Sequence, residues 1–192
     1  MGFLDHIRRM NDRVCPWWLC HSFDNPLRRL FHDPERLLAP YVRPGATAAD
    51  IGCGMGYFTI GLARLAGPSG RIVAVDLQQR MLNALQRRAR RVGVADRIVL
   101  NRCRPDSLGI GEPVDFALAF WMAHEVPDKP RFFREILSAL KPGGALLLAE
   151  PTIHVWRKSF ERTTAVCREQ GFRVLGEPVI ALSRAVLMGK EQ

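Results

Sequence analysis

The chain has 192 residues, 47% of them hydrophobic and 24% charged, with a formal net charge of +9 at pH 7. That length buries one sizeable core, and the composition excludes a disordered polymer. No apolar run approaches the roughly 20 residues that a helical membrane span requires. The basic excess permits contact with nucleic acid or anionic lipid without demanding it. Its densest run, Arg87-Arg88-Ala89-Arg90-Arg91, falls in a helical stretch and is expected to form a solvated face.

Residues 1–44 carry scattered apolar and aromatic side chains, among them Phe3, Trp17, Trp18, Phe23 and Phe31, and predict an arm of two or three short helices folded over a pocket as a lid. Asp5, His6, Arg8 and Arg9 break up the first ten residues, so no signal peptide is expected there and a cytoplasmic location follows as the default. The five cysteines contain no CxxC pair and are expected to be reduced thiols. Cys15, Cys20, His21 and His32 could be imagined as a metal cluster, but the gap between those cysteines is not usual zinc spacing, and no metal is expected.

From residue 45 to 192, strand-type runs alternate with helical ones, the pattern of a parallel α/β sheet. A strand over 48–53 closes in Gly52-Cys53-Gly54-Met55-Gly56. A helix over 57–66 is ended by Gly67-Pro68. A second strand, 71–77, contains Asp76 near its end. The following helix repeats Met81, Leu82, Leu85, Ala89 and Val92 at three- and four-residue intervals until Gly93. Strands over 98–103 and 114–122 come next, then a helix over 130–140 broken by Lys141-Pro142-Gly143-Gly144, and a fifth strand over 145–150. A helix over 158–170 leads to strands at 172–180 and 184–189. So short a link between the last two strands forbids a parallel crossover. The expected fold is a Rossmann-like, seven-stranded, mostly parallel sheet with one reversed C-terminal strand and helices on both faces.

The segment Asp50-Ile51-Gly52-Cys53-Gly54-Met55-Gly56 carries the clearest chemistry. Glycines after a buried strand let backbone approach a ligand, and the next helix N-terminus offers free N–H groups. Asp76, at the end of the neighbouring strand, is placed to accept from two ribose hydroxyls. The spacing is GxGxG, with Tyr57 where a dinucleotide fold wants its third glycine, so a nicotinamide-dependent oxidoreductase is disfavoured.

Residues 50–56, the strand ending at Asp76, and the stretches 113–125 and 140–150 resemble successive motifs of the class I S-adenosylmethionine-dependent methyltransferases. The resemblance spans about 44–190. It is nearest to the methyltransferase-domain group that includes quinone-biosynthesis C-methyltransferases, where a His-x-Val-Pro-Asp element follows the fourth strand, as His124-Glu125-Val126-Pro127-Asp128 does here. The resemblance implies that Asp50 orients the amino group of the cofactor's methionine part, and that Gly52, Gly54 and Gly56 line its methionine and ribose. It implies further that Asp76 binds the ribose, Leu77 lies by the adenine, and Phe120 and Trp121 flank the methionine. Where the family often has an Asp for the adenine amino group, this chain has Arg104, and the resemblance leaves either Asp106 as a substitute or backbone N–H groups alone to hold the adenine.

His124 is the candidate general base, with Glu125 beside it, since a neutral imidazole takes a proton near pH 7. The competing reading makes His124 a cap for the helix starting near Asp128. The expected acceptor is a small, hydrophobic molecule. There is no Asn- or Asp-Pro-Pro-Tyr after the fourth strand and no Pro-Cys pair, which disfavours methylation of adenine amino groups and cytosine rings, and nucleic acid is not the expected partner. Alternatives are a protein or RNA target, or a non-catalytic S-adenosylmethionine-binding regulatory or scaffold protein. The chain could pair as a homodimer.

Overall fold

The computed structural model describes residues 28–190. The arm's Phe3, Cys15, Trp17, Trp18, Cys20 and His21 lie outside the described residues. Within them, the arm contributes helices α1 (Arg28–Phe31) and α2 (Pro34–Leu38). Asp33 caps α2, its carboxylate accepting from the Arg36 N–H at 3.0 Å, and Pro34 takes the first position, where its missing donor costs nothing.

The elements that follow are β1 (Thr47–Ile51), α3 (Tyr57–Ala66), β2 (Arg71–Asp76), α4 (Gln79–Arg91), β3 (Ile98–Arg102), β4 (Val114–Phe120), α5 (Lys129–Ala139), β5 (Leu140–Pro151), α6 (Arg157–Glu169), β6 (Arg173–Gly176) and β7 (Ser183–Gly189). The seven strands form one sheet in the order β3-β2-β1-β4-β5-β7-β6. The β1, β2, β3, β4 and β5 pairings are parallel; β7 runs antiparallel to both β5 and β6. The expected seven-stranded sheet with one reversed strand is the observed one.

Central strands are apolar on both faces because helices cover both. Ile72 and Ala74 of β2, with Phe116 and Leu118 of β4, turn toward α2, α3 and α4. Val73, Val75, Ala117 and Ala119 point the other way and pack with Phe133 and Ile136 of α5 and Cys167 of α6. On α4, Met81, Leu82, Leu85 and Ala89 are buried while Arg87, Arg90 and Arg91 are exposed, so most of the arginine run is the solvated face expected.

Two boundaries differ from the sequence reading. Lys141-Pro142-Gly143-Gly144 does not separate α5 from the fifth strand: Leu140 already pairs with Val114, and the register then shifts before Phe116 meets Ala145. The irregularity is pinned by Lys141, whose Nζ donates to both Asp115 oxygens at 2.9 and 2.8 Å, and by Lys190, whose Nζ donates to the Leu140 carbonyl at 2.7 Å. At the other end, β6 stops at Gly176, well short of residue 180, because Pro178 has no N–H to give the ladder.

Strand order reverses direction about β1, whose neighbours are β2 on one side and β4 on the other. Such a switch point opens a crevice beyond the carboxyl ends of the strands.

Candidate active site at the strand switch point

Three strand ends converge there. After β1, the Gly52 and Cys53 N–H groups both donate to the Val75 carbonyl, at 2.8 and 3.0 Å, tying the glycine loop to β2. Asp76 continues that tie. Its Oδ2 accepts from the Gly54 N–H at 2.9 Å and its Oδ1 from the Gln78 N–H at 2.8 Å. Each carboxylate oxygen retains a further lone pair. Burial pushes the Asp76 carboxyl upward, and the two backbone donors partly restore it. Leu77, half-buried, follows in the bend before α4.

Gly54 has φ +53, and a Cβ there would meet nothing within 4 Å. Gly56 (φ +84) is the opposite case: a Cβ would run into Leu85, so the residue starting α3 must be bare for α3 and α4 to pack. Asp50 lies buried beneath this loop, its Oδ2 accepting from the Thr59 hydroxyl at 2.5 Å. Desolvation raises its carboxyl to about 7, with Asp76 adding to the rise and the Arg28 guanidinium opposing it.

Arg28 was invisible to sequence reasoning because it lies in the arm, far along the chain from the loop it faces. Its guanidinium carbon sits over the rings of Tyr57 (4.5 Å), Trp121 (5.0 Å), Phe58 (5.3 Å) and Phe120 (5.7 Å). A cation over four aromatic faces, within electrostatic reach of Asp50, puts fixed positive charge at this end of the crevice. Tyr57 donates its hydroxyl to the His32 carbonyl at 2.8 Å, and the buried His32 ring stands edge-on to Phe120 and Trp121. The His32 Nε2 meets the Ala181 carbonyl at 2.6 Å, which assigns it to holding the arm against the β6–β7 link.

Trp121 follows β4 directly, with φ +59, a left-handed conformation rare for a bulky residue. The strain is held by its N–H donating to the Ala149 carbonyl at 2.7 Å and its indole Nε1–H donating to Ser183 Oγ at 2.9 Å. Non-glycine residues locked this way cluster at functional sites.

One turn on, Ala123–Glu125 form a short 3-10 helix. His124 does not cap α5. Asp128 does, accepting from the Arg131 N–H at 3.0 Å. Instead, His124 Nδ1 meets Oε2 of Glu150, near the end of β5, at 2.6 Å. Its Nε2 lies 3.2 Å from Nε2 of His154 and 3.9 Å from Oε1 of Glu125. Burial alone would lower the imidazole; the hydrogen bond and charge of Glu150, with help from Glu125, outweigh it and hold His124 above its ordinary range. Glu150 is 1% exposed, and its Oε1 has no hydrogen-bond partner. Neither Glu150 nor His154 sits in a motif of its own, and the one signal for Glu150 is an acid near the end of the strand beside the one that delivers His124.

Arg104 and Asp106, the candidates at the adenine end, pair with each other at 3.1 Å in an exposed turn closed by Arg104 and Ser107. The Cys103 N–H donating to the Asp76 carbonyl at 3.1 Å brings that turn beside Asp76.

Residues 48–144, half of the chain, match the model of a methyltransferase domain. The chain belongs to this methyltransferase-domain family, within the class I S-adenosylmethionine-dependent methyltransferases. Among curated relatives it is 31% identical over 110 residues to the ubiquinone/menaquinone biosynthesis C-methyltransferase UbiE of Pasteurella multocida, covering 57% of this chain and 41% of that protein. The corresponding enzyme of Hahella chejuensis is 32% identical over 124 residues, with 62% and 50% covered. The chain thus spans about half the length, or less, of the curated relatives it matches. A solved SAM-dependent methyltransferase from Aquifex aeolicus superposes with a TM-score of 0.81 at 20% identity, covering 92% of this chain and 98% of that one, which fixes the fold.

The cofactor of a class I methyltransferase is S-adenosylmethionine, and the residues present fit it. Gly54 leaves open space beside the loop, Asp76 keeps acceptor capacity for hydroxyls, and the Arg28 guanidinium held on the aromatic faces suits the carboxylate of the cofactor's methionine part.

Proposed function

We propose that this protein transfers a methyl group from S-adenosylmethionine to a small, hydrophobic acceptor bearing an ionisable hydroxyl, in keeping with curated relatives named for ubiquinone/menaquinone biosynthesis. The observation that carries the reading is His124 at the carboxyl end of β4, its imidazole backed by a buried carboxylate and standing three residues after the strained Trp121.

When bound, the cofactor supplies a methyl group on a sulfonium. Asp76 would accept from the ribose hydroxyls, Asp50 would receive the ammonium group, and Gly52, Gly54 and Gly56 would line the methionine and ribose. Leu77, Arg104 and Asp106 would border the adenine, and Phe120 and Trp121 the methionine. His124 would take the acceptor's proton, with Glu125 at its side. Methyl transfer otherwise needs chiefly alignment, which rigid strand ends provide.

Residues 1–44 would act as the lid. Support comes from Leu38, wholly buried in the main core, and from Pro34, packed so closely on Gly61 that a Cβ there would collide.

The test uses S-adenosylmethionine labelled in its methyl group. Incubation with phenols, with 1,4-dihydroxynaphthalene kept reduced, with bulk RNA and with a protein extract separates the acceptor classes. Label in the organic phase supports the reading; label confined to RNA or protein refutes it. His124→Asn should keep cofactor affinity and cut turnover by roughly 100-fold.

A further inference from the structure

Three side chains from three places in the chain meet at the rim: His124 after β4, Glu150 near the end of β5, and His154 in the turn before α6. We propose that they form a proton relay in which Glu150 is a positioning residue that keeps hydrogen on Nδ1 of His124, and His154 carries protons between Nε2 of His124 and water. The inference deepens the proposed methyl transfer and rests on His124 being its base.

A buried carboxylate 2.6 Å from an imidazole nitrogen accepts a hydrogen bond, so Nδ1 of His124 must carry hydrogen whenever Glu150 is ionised. That fixes the tautomer and leaves Nε2 as the nitrogen that gains and loses a proton. The second Glu150 oxygen, sealed from water and unpartnered, makes this costly for a residue that served packing alone. A Gln or Met would fill the same volume more cheaply.

The two Nε2 atoms at 3.2 Å can share only one proton between them. His154 is exposed, so its ring exchanges protons with water and can present Nε2 bare or protonated. As the acceptor's O–H bond breaks, its electron pair stays on oxygen and the proton goes to Nε2 of His124. That proton then passes to Nε2 of His154, and His154 releases its Nδ1 proton to water. The charged groups acting on His124 are Glu150 from β5, Glu125 from its own turn and Lys129 from the start of α5, with titratable His154 from the loop after β5. Lys129 alone among the charges opposes protonation.

The test is nitrogen-15 NMR of the histidine rings in the full chain. Wild type should show His124 as the Nδ1–H tautomer, with His124 and His154 titrating in two coupled steps. Glu150→Gln should lower the His124 midpoint by about one unit or more and abolish the tautomer preference. His154→Asn, a surface change, should leave Nδ1–H in place and collapse the coupled titration to a single step. With reduced 1,4-dihydroxynaphthalene as acceptor, Glu150→Gln should lower kcat with KM unchanged, and the loss in His154→Asn should be restored by imidazole in the buffer. An Nε2–H tautomer in wild type, or an unmoved midpoint in Glu150→Gln, overturns the relay. Failure to methylate any small acceptor counts against the proposed function instead, and the NMR result still decides the relay.

Discussion

Asp76→Ala separates two jobs that one carboxylate performs. In the structure both oxygens already hold backbone N–H groups, of Gly54 at 2.9 Å and Gln78 at 2.8 Å, so the side chain braces the glycine loop before any ligand arrives. Hydrogen bonds to a charged partner contribute about 1.5–3 kcal/mol each, and water at the rim can replace part of that. A net stability loss of about 3 kcal/mol is therefore expected, which lowers Tm by roughly 6–12 °C for a chain of this size. The lone pairs facing the ribose add a separate loss of about 2 kcal/mol in ligand binding, or roughly 30-fold. Calorimetric titration with S-adenosylhomocysteine, well below the variant's melting temperature, measures the second quantity; thermal unfolding followed by circular dichroism measures the first. A lowered Tm with wild-type affinity would reduce Asp76 to a loop brace and refute the ribose assignment.

Asp50, raised to about 7 by burial, must ionise to receive the cofactor's ammonium, so S-adenosylmethionine affinity should rise about tenfold from about pH 6 to about pH 8, and Asp50→Asn should flatten that rise in fluorescence titrations. The same group binds its proton more tightly folded than unfolded, where it titrates at 3.8; its contribution to stability is therefore largest below that value and declines as pH climbs to about 7, a slope that urea unfolding of wild type against Asp50→Asn will isolate. Gly56→Ala forces a left-handed alanine against Leu85 and should cost about 2–4 kcal/mol, read as a lower denaturant midpoint. Leu38→Ala should cost about 2–5 kcal/mol if the arm is part of the core; a loss below about 1 kcal/mol would show it merely tethered.

Local signals were legible where one element decided its own limits. Tyr57–Ala66 is bounded by Gly56 and Gly67, both at positive φ, and the sequence places the helix over those residues. The reversed strand was legible from a link too short for a crossover. Tertiary contacts decided the rest. Lys-Pro-Gly-Gly has every mark of a break, yet Asp115 and Lys190 hold its flanks to the sheet. His124 could be named as a base from its place after the fourth strand. Its partner could not, because the contact spans 26 residues and exists only when β4 and β5 lie side by side. The same applies to Arg28, whose aromatic neighbours come from two elements and meet only across the fold.

The sheet order carries a consequence for how the chain is made. Strands β5 and β6 are synthesised first, yet the strand that joins them, β7, comes last. Until Ser183–Gly189 arrives, β5 presents an unpaired backbone edge with Leu146 and Leu148 along it, and β6 has no partner at all. Such an edge invites pairing with a neighbouring nascent chain. The aggregation-prone species is therefore the chain in which β5 and β6 have formed and β7 has not yet docked between them.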